Sequence, residues 1–309
     1  MSDATRPGPL AAWTMAARPK TLPASTSGVI VGSALAFAAG RFDPVSALAA
    51  FVVALALQIA SNFANDVFDF ESGADARRAH GPTRVTQSGI LSPRQMKRGL
   101  LVVIGIAALA GLWLVLRSLS LAPGSWPWLL GTGILAVISS VAYTTGPFPL
   151  SRLGLGDLFV LIFFGFAATM GSYFVQAGRM EAAPILLSLS PGLIIVAILV
   201  VNNLRDIEED RETGKHTLAV RFGEGFAKAE YLACLALADI VLIVSIIAGL
   251  TSPWTLLALL SAPLAIKNGR AMLSIRGSAL NATLGGTGRL SFLWALLFAV
   301  GALIGALLG

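Results

Sequence analysis

The sequence is short of charge. Of its 309 residues, 12% are Asp, Glu, Lys or Arg, which is about half the roughly 25% that is typical of soluble domains. It has a single cysteine, Cys234, and two histidines, so neither a disulfide framework nor a thiol-based metal site is expected. Hydrophobic residues are correspondingly frequent and make up 56% of the chain. Stretches such as 241–250 and 292–308 have almost no polar face, which argues against one large water-soluble helical domain.

The apolar residues come in nine runs of the length that crosses a lipid bilayer, about 20 residues each. The predicted spans are 22–40, 44–64, 99–116, 127–145, 155–177, 184–204, 229–249, 253–272 and 290–308. The sequence therefore predicts an all-α integral membrane protein, with nine transmembrane helices in one polytopic domain over residues 1–309.

The basic residues indicate how this bundle sits in the membrane. They are scattered between the spans instead of gathered on one domain, so no nucleic-acid partner is predicted. Only Arg41, Arg117 and Arg179, of 22 Lys and Arg, fall in the turns after odd-numbered spans. The positive-inside rule then places the N-terminal segment 1–21 in the cytoplasm. The long connections 65–98 and 205–228 are cytoplasmic by the same rule, and we expect them to carry the site.

Each of these two connections opens with an acidic cluster at the end of a span. The first cluster holds Asn62, Asn65, Asp66 and Asp69, and the second holds Asn202, Asp206 and Asp210. Spacings of three or four residues place the members of each cluster on one helical face. A carboxylate at a helix C-terminus is unfavourable, because it meets the negative end of the helix macrodipole. Since this unfavourable arrangement occurs at two helix ends, it indicates that the carboxylates bind a ligand. Oxygen donors without nearby His or Cys suit Mg²⁺, which is held by one or two carboxylates together with substrate phosphates.

Basic and aromatic side chains accompany the two clusters. The candidates for binding an anion are Arg18, Lys20, Arg84, Arg205 and Lys215. Arg offers a planar fork to phosphate oxygens and Lys offers a point charge. Tyr143, at the end of span four, is a candidate to face a cation through its ring. Topology and membrane anchoring are alternative reasons for Arg18, Lys20 and Tyr143, and helix-end capping is an alternative reason for the asparagines.

These motifs resemble those of the UbiA superfamily of intramembrane aromatic prenyltransferases. The resemblance is carried by Asn65-Asp66-x-x-Asp69 and by Asp206-x-x-x-Asp210, followed by Gly214 and Thr217. It implies a nine-helix bundle in which Mg²⁺, held by the aspartates, binds the diphosphate of a polyprenyl donor. The allylic C–O bond then ionises, and an aromatic ring captures the carbocation. One departure is Gly73, which stands where the superfamily has a third aspartate, while Asp75 follows two residues later.

Further motifs are similar to the branch of this superfamily that acts on 1,4-dihydroxy-2-naphthoate. They are Arg18-Pro-Lys-Thr21, residues 62–66, Gly81-Pro-Thr-Arg84 with Gln87-Ser-Gly89, residues 143–149 and residues 202–206. The branch implies substrate-binding roles for Asn62, Gln87 and Arg205. It also implies prenylation of the naphthoate with loss of its carboxylate, giving demethylmenaquinone, diphosphate and CO₂ at a bacterial cytoplasmic membrane. Asp157 stands where this branch commonly has Glu.

Two other functions fit parts of the sequence. A relative that uses another acceptor, such as 4-hydroxybenzoate, homogentisate or a lipid alcohol, would keep the same acidic clusters. A transporter would also have many spans and intramembrane polar residues, but transporter sites usually lie at the bilayer midplane, and these clusters lie at its edge. Because that edge faces solvent, we expect replacement of Asp66 or Asp206 by Ala to abolish activity without unfolding the protein.

Overall fold

The computed structural model describes residues 7–73, 84–142 and 154–308, and this part of the chain is helical without any strand. The α-helices are α1 (Pro9–Ala17), α2 (Leu22–Ser25), α3 (Ser27–Ala38), α4 (Pro44–Glu71), α5 (Pro93–Ser118), α6 (Trp126–Ala142), α7 (Gly156–Val160), α8 (Ala168–Ala177), α9 (Ala182–Leu187), α10 (Leu189–Arg205), α11 (Ile207–Glu212), α12 (Leu218–Ile247), α13 (Ala262–Ser274) and α14 (Leu280–Leu308). A π-helical segment, Leu161–Ala167, joins α7 to α8. The 3₁₀ segments are Pro123–Ser125, Pro253–Ser261 and Gly277–Ala279.

The predicted membrane bundle is confirmed. Within the described ranges, eight helical stretches are long and apolar enough to cross a bilayer. A ninth arises if α1 and the helix formed by α2 and α3 are counted together, although they meet at a bend of 54°. Predicted span one, 22–40, therefore begins at this bend. The last residues of predicted span four, 143–145, lie outside the described residues.

Helices extend into both predicted connections. Helix α4 includes the first seven residues of the connection 65–98, and α5, which begins at Pro93, includes its last six. In the second connection, 205–228, helix α11 and the start of α12 occupy most of the residues, with a kink at Gly223. Hydropathy ends a span where polar residues begin, but a helix continues as long as its backbone hydrogen bonds do.

Several helices begin at a side-chain cap. In each case a Ser, Thr or Asp precedes the helix, and these residues are favoured at the N-cap position. Ser92 and Gln95 form a reciprocal capping box at the start of α5, and the Thr217 hydroxyl accepts from the third backbone N–H of α12. Asp43 caps α4 and also accepts a 2.7 Å hydrogen bond from the Ser46 hydroxyl. That bond lowers the pKa of the Asp43 carboxyl.

The main apolar core surrounds α14, which packs on α3, α10 and the segment Pro253–Ser261. Trp294 and Phe298 stack at its centre with ring centroids 5.6 Å apart. The π-helical segment packs on α10 through two glycines, since a Cβ on Gly165 would lie 3.0 Å from the Gly192 Cα. This close approach fixes the depth of the π-helical segment relative to α10.

Candidate active site

A chamber of about 740 Å³ opens inside the bundle. Its wall is formed by α4, α5, α6, α10 and the continuous stretch from α7 through the π-helical segment to α8. Most lining side chains are apolar, and none of the residues of α6 is buried. The chamber is therefore a hydrocarbon-like space, and one of its walls is a single helix.

One end of the chamber is polar. Six of the predicted site residues line it, namely Arg18, Lys20, Asn62, Asn65, Asn202 and Arg205. They come from the turn after α1, the last part of α4 and the end of α10. The structure thus brings the asparagines of both predicted clusters, which are separated by four spans in the sequence, to the same end of one chamber. We refer to this end as the polar mouth.

Asn62 holds the N-terminal side of the polar mouth in place. Its Nδ2 donates to the Ala17 carbonyl at 2.9 Å and to the Thr21 hydroxyl at 3.2 Å, and the residue is 4% exposed. Between these two partners lies Arg18, whose φ of +53° is unusual for a residue with a side chain. Asn62 therefore stabilises a constrained turn that presents Arg18 and Lys20 to the chamber.

Asp66 is fully buried and organises the segment that follows α4. Its two carboxylate oxygens accept backbone N–H bonds from Val85 at 3.0 Å and Thr86 at 2.8 Å, and Arg18 approaches to 4.0 Å. One turn further, Asp69 forms an ion pair with Arg84 at 2.6 Å. The first acidic cluster is thus tied to residues 84–86, in the second half of the connection 65–98.

Arg205 organises the second cluster, as Asp66 organises the segment next to the first. Its guanidinium makes two bonds to the Asp206 carboxylate, at 2.7 and 2.6 Å. It also donates to the Asn202 side chain at 2.7 Å and to the Asn281 side chain at 2.8 Å. Such a fork of fixed donors orders several acceptors at once, so Arg205 holds α10 against the start of α14 at the polar mouth.

The rest of the second cluster lies just beyond α10. Helix α10 ends at Arg205, and Asp206 is the junction to α11. The amide N–H of Asp210 still donates to the Asp206 carbonyl at 2.8 Å, so the predicted spacing survives the junction. The carboxylate of Asp210 is buried and pairs with Lys215 at 2.8 Å.

Not every predicted residue reaches the chamber. The four aspartates, Arg84, Gln87 and Lys215 are absent from the described chamber lining. Gln87 is exposed on the turn after Arg84, and Tyr143 lies outside the described residues. In the described parts of the chain, no three His, Cys, Asp or Glu side chains form a ready-made metal cage.

The expectation that the aspartates lie at a solvent edge is wrong. Asp66 is 1% exposed and Asp206 is 7% exposed. The reason is that each carboxylate carries its own hydrogen-bond donors, as a buried charge requires. These two aspartates are therefore structural as well as candidate functional groups.

Sequence reasoning missed three kinds of lining or supporting residue. Gln58 lines the chamber and donates to Asn62 at 3.3 Å; its position four residues before Asn62 was an available signal. Asn281 supports Arg205 from 76 residues away, which no local pattern indicates. Phe159 and Phe163 line the chamber as a stacked pair, and hydropathy does not separate them from other apolar residues.

The fold and this site define a class of protein: a helical membrane bundle with an apolar chamber and a cation-rich polar mouth. The model of the UbiA prenyltransferase family matches residues 26–294. The chain belongs to the UbiA prenyltransferase family.

Relatives with assigned activities are similar over most of the chain. It is 42% identical to 1,4-dihydroxy-2-naphthoate octaprenyltransferase of Escherichia coli, over 84% of both chains. It is 35% identical to the enzyme of the same name from Mycobacterium tuberculosis, over 93% of this chain and 94% of that one.

Solved structures share the fold at low sequence identity. A UbiA homologue from Aeropyrum pernix K1 superposes with a TM-score of 0.66 at 17% identity, covering 93% of this chain and 98% of that one. A UbiA homologue from Archaeoglobus fulgidus bound to GPP and Mg²⁺ gives a TM-score of 0.60 at 14% identity, covering 95% and 99%.

Proposed function

We propose that this protein transfers a polyprenyl group from polyprenyl diphosphate to 1,4-dihydroxy-2-naphthoate with decarboxylation. The observation that carries the proposal is the chamber itself, whose cationic and amide groups gather at one end of an otherwise apolar space. A polyprenyl diphosphate has the same division, with a charged head and a hydrocarbon tail. The acceptor is proposed from the relatives, which are naphthoate prenyltransferases by name.

The reaction follows from this division. The bond between the allylic carbon and the diphosphate oxygen breaks, and its electron pair stays with the diphosphate. Arg18, Lys20 and Arg205 stabilise that developing charge at the polar mouth, where it forms. The ring carbon that bears the acceptor carboxylate then bonds to the allylic carbon. The carboxylate leaves as CO₂, and its bonding electrons return to the ring, so the immediate product is the quinol form of demethylmenaquinone.

The chamber contributes by excluding water. An allylic cation reacts with water as readily as with an aromatic ring, so a space lined by Ile, Leu, Val, Ala and Phe protects it. The single-helix wall formed by α6 also gives a long tail room to extend toward lipid. Membrane lipid is accordingly part of the proposed environment of the donor.

The acidic clusters fit Mg²⁺ in the form that binds with a diphosphate. Such an ion needs only one or two protein carboxylates, because substrate oxygens and water supply its other ligands. Asp66 and Asp69 lie three residues apart on α4, and Asp206 and Asp210 lie four apart, so each pair offers hard oxygen donors on one side. We propose these four residues as its ligands; the ion would supply Lewis-acid stabilisation of the leaving diphosphate.

The remaining predicted residues receive supporting roles. Asn65 and Asn202 orient the head group at the polar mouth. Arg84 and Lys215, which now pair with carboxylates of the two clusters, supply positive charge for the diphosphate. Gln87 and Tyr143 stay predictions from the sequence alone.

We also propose that the polar mouth faces the cytoplasm of a bacterium. The support is the distribution of Lys and Arg, which cluster at the N-terminus and in the turns at this end of the bundle. Accessibility of a cysteine introduced at Gln87 to a membrane-impermeant thiol reagent, in intact cells and in inverted vesicles, tests this orientation.

The function is tested with purified protein, a radiolabelled polyprenyl diphosphate and either 1,4-dihydroxy-2-naphthoate or 4-hydroxybenzoate. We expect prenylation of the naphthoate with release of CO₂, loss of turnover in EDTA and recovery on addition of Mg²⁺. Transfer to the benzoate alone would contradict the proposed acceptor. Turnover that is indifferent to EDTA would contradict the metal proposal.

A further inference from the structure

Among the described residues, the aromatic side chains of the chamber lie on one side. Phe159, Phe163 and Phe164 are the aromatic side chains among its described lining residues, and all three come from α7 and the π-helical segment. Phe159 and Phe163 are stacked, with centroids 6.1 Å apart and an interplanar angle of 27°. The other described walls are aliphatic or polar.

The π-helical segment is what keeps this side of the bundle turned toward the chamber. Lining residues recur at every fourth position, namely Phe159, Phe163, Ala167, Gly171 and Val175. In a regular α-helix, each step of four residues turns the side chain by about 40°, or about 160° over four steps. The wider turn of the π-helical segment offsets this drift, so one stripe faces the chamber throughout.

The side chains of this stripe become smaller with distance from the polar mouth. It starts with phenylalanine near the polar mouth and continues with Ala167, Ala168 and Gly171 deeper in the chamber. Large rings therefore narrow the space just below the polar mouth, and small side chains leave it wide beyond them.

The depth of the aromatic pair follows from the contact of Gly165 with Gly192. Asn202 lies ten residues from Gly192 on α10, and Phe159 lies six residues from Gly165 on the antiparallel stretch, both toward the polar mouth. At the α-helical rise of 1.5 Å per residue, which the wider turn of the π-helical segment shortens, the Phe159 backbone is at least about 6 Å below Asn202 and that of Phe163 at least about 12 Å below it. Phe159 and Phe163 thus lie beside the first part of a polyprenyl chain whose diphosphate is held at the polar mouth.

From this geometry we propose that Phe159, backed by its stacked neighbour Phe163, stabilises the allylic cation through the face of its ring. The inference rests on the proposed prenyl transfer and adds a catalytic residue to it. A cation within about 6 Å of a ring centroid is attracted to the negative face of the ring, most strongly where water is excluded. The electrons of the ring are not transferred; the cation is consumed when the acceptor carbon bonds to it.

The decisive experiment weakens the ring's negative face without changing its shape. Phe159 is replaced by 4-fluoro-, 3,5-difluoro- and 3,4,5-trifluorophenylalanine in the full-length protein, and single-turnover prenyl transfer to the naphthoate is measured. We expect the rate to fall stepwise with each fluorine, to about tenfold below wild type for the trifluoro variant. The affinity for the intact diphosphate stays within twofold, because the effect acts on the cation and not on the ground state.

A matched control is available in the same protein. Phe222 and Phe226 form another pair, with centroids 5.0 Å apart, but they are 63% and 40% exposed and do not line the chamber. The same fluorine series at Phe226 leaves the rate unchanged. A rate that is indifferent to fluorination at Phe159 in an active enzyme would overturn this inference alone. Failure of the wild-type protein to prenylate any acceptor would instead overturn the proposed function.

Discussion

Conversion of Asp66 to Asn is expected to cost activity and much stability, whereas the same change at Asp69 is expected to cost activity and only a little stability. Both carboxylates are proposed ligands of Mg²⁺. They differ in what else they hold. Asp66 uses both oxygens to accept backbone N–H bonds from Val85 and Thr86, while Asp69 has one short bond, to Arg84, and its side chain is 20% exposed.

The magnitudes follow from these contacts. An Asn at position 66 turns an –NH₂ group toward one of two backbone donors, which leaves a buried N–H unpaired and weakens the other bond, at a combined cost of about 3 kcal/mol. An Asn at position 69 keeps an acceptor oxygen for Arg84 and loses mainly the ionic part of a partly solvated pair, at about 1 kcal/mol. With roughly 3 °C of melting temperature per kcal/mol, the shifts are about 9 °C and about 3 °C.

The assay is thermal unfolding of both variants in the same detergent, followed by tryptophan fluorescence, alongside prenyl transfer at 20 °C. We expect both variants to be inactive and Asp66→Asn to melt about 6 °C below Asp69→Asn. Equal melting temperatures for the two variants would refute the reasoning, because they would show that the bonds to residues 85 and 86 do not support the fold.

Three further predictions concern other parts of the site. Arg205→Lys is expected to raise the KM for polyprenyl diphosphate at least tenfold, since a point charge cannot serve three acceptor side chains at once; unchanged steady-state kinetics would argue against that role. Gly192→Ala is expected to lower the free energy of unfolding by about 1–3 kcal/mol through overpacking, because the added Cβ would lie 2.7 Å from a Leu161 methyl group. The control variant Gly171→Ala should melt like wild type, because a Cβ added there has no neighbour within 4 Å. Asn62→Ala is expected to make the turn after α1 sensitive to limited proteolysis while the bundle stays intact, and a cleavage pattern identical to wild type would contradict the anchoring role.

Much of the fold could be predicted because a bilayer sets a simple length requirement. Apolar runs identified eight of the nine predicted spans in the described residues, and the ninth if α1 to α3 count as one bent span. Polar clusters marked the end of the bundle where the candidate site lies. Hydropathy failed where polar residues continue a helix, as in residues 65–71 of α4. It also did not indicate the bend between α1 and α2, although Pro19 lies in this break and a proline is a sequence signal that ends a helix.

The sequence predicted six residues that line the polar mouth, but it did not predict the contacts between them, and the functional roles of the predicted site residues stay predictions. The spacing of Asp206 and Asp210 pointed to a functional helix end, and the structure places Arg205 and Asn202 of that helix end at the chamber. The spacing in the sequence could not show that Arg205 binds the Asp206 carboxylate. It also could not show that Asn281 is another acceptor for the Arg205 guanidinium. Pairings of this kind depend on tertiary distances, and burial of the aspartates follows from those pairings.

The π-helical segment has a consequence for how this chain tolerates changes in length. Its wide turn amounts to an extra residue relative to a regular α-helix, and everything from Ala168 to Ala177 inherits the resulting register. A single-residue deletion within 161–167 would leave the hydropathy profile almost unchanged and still allow the helix to span the bilayer. It would nevertheless rotate Gly171 and Val175 away from the chamber by about 100°. Chain length in this short stretch is therefore constrained as tightly as residue identity.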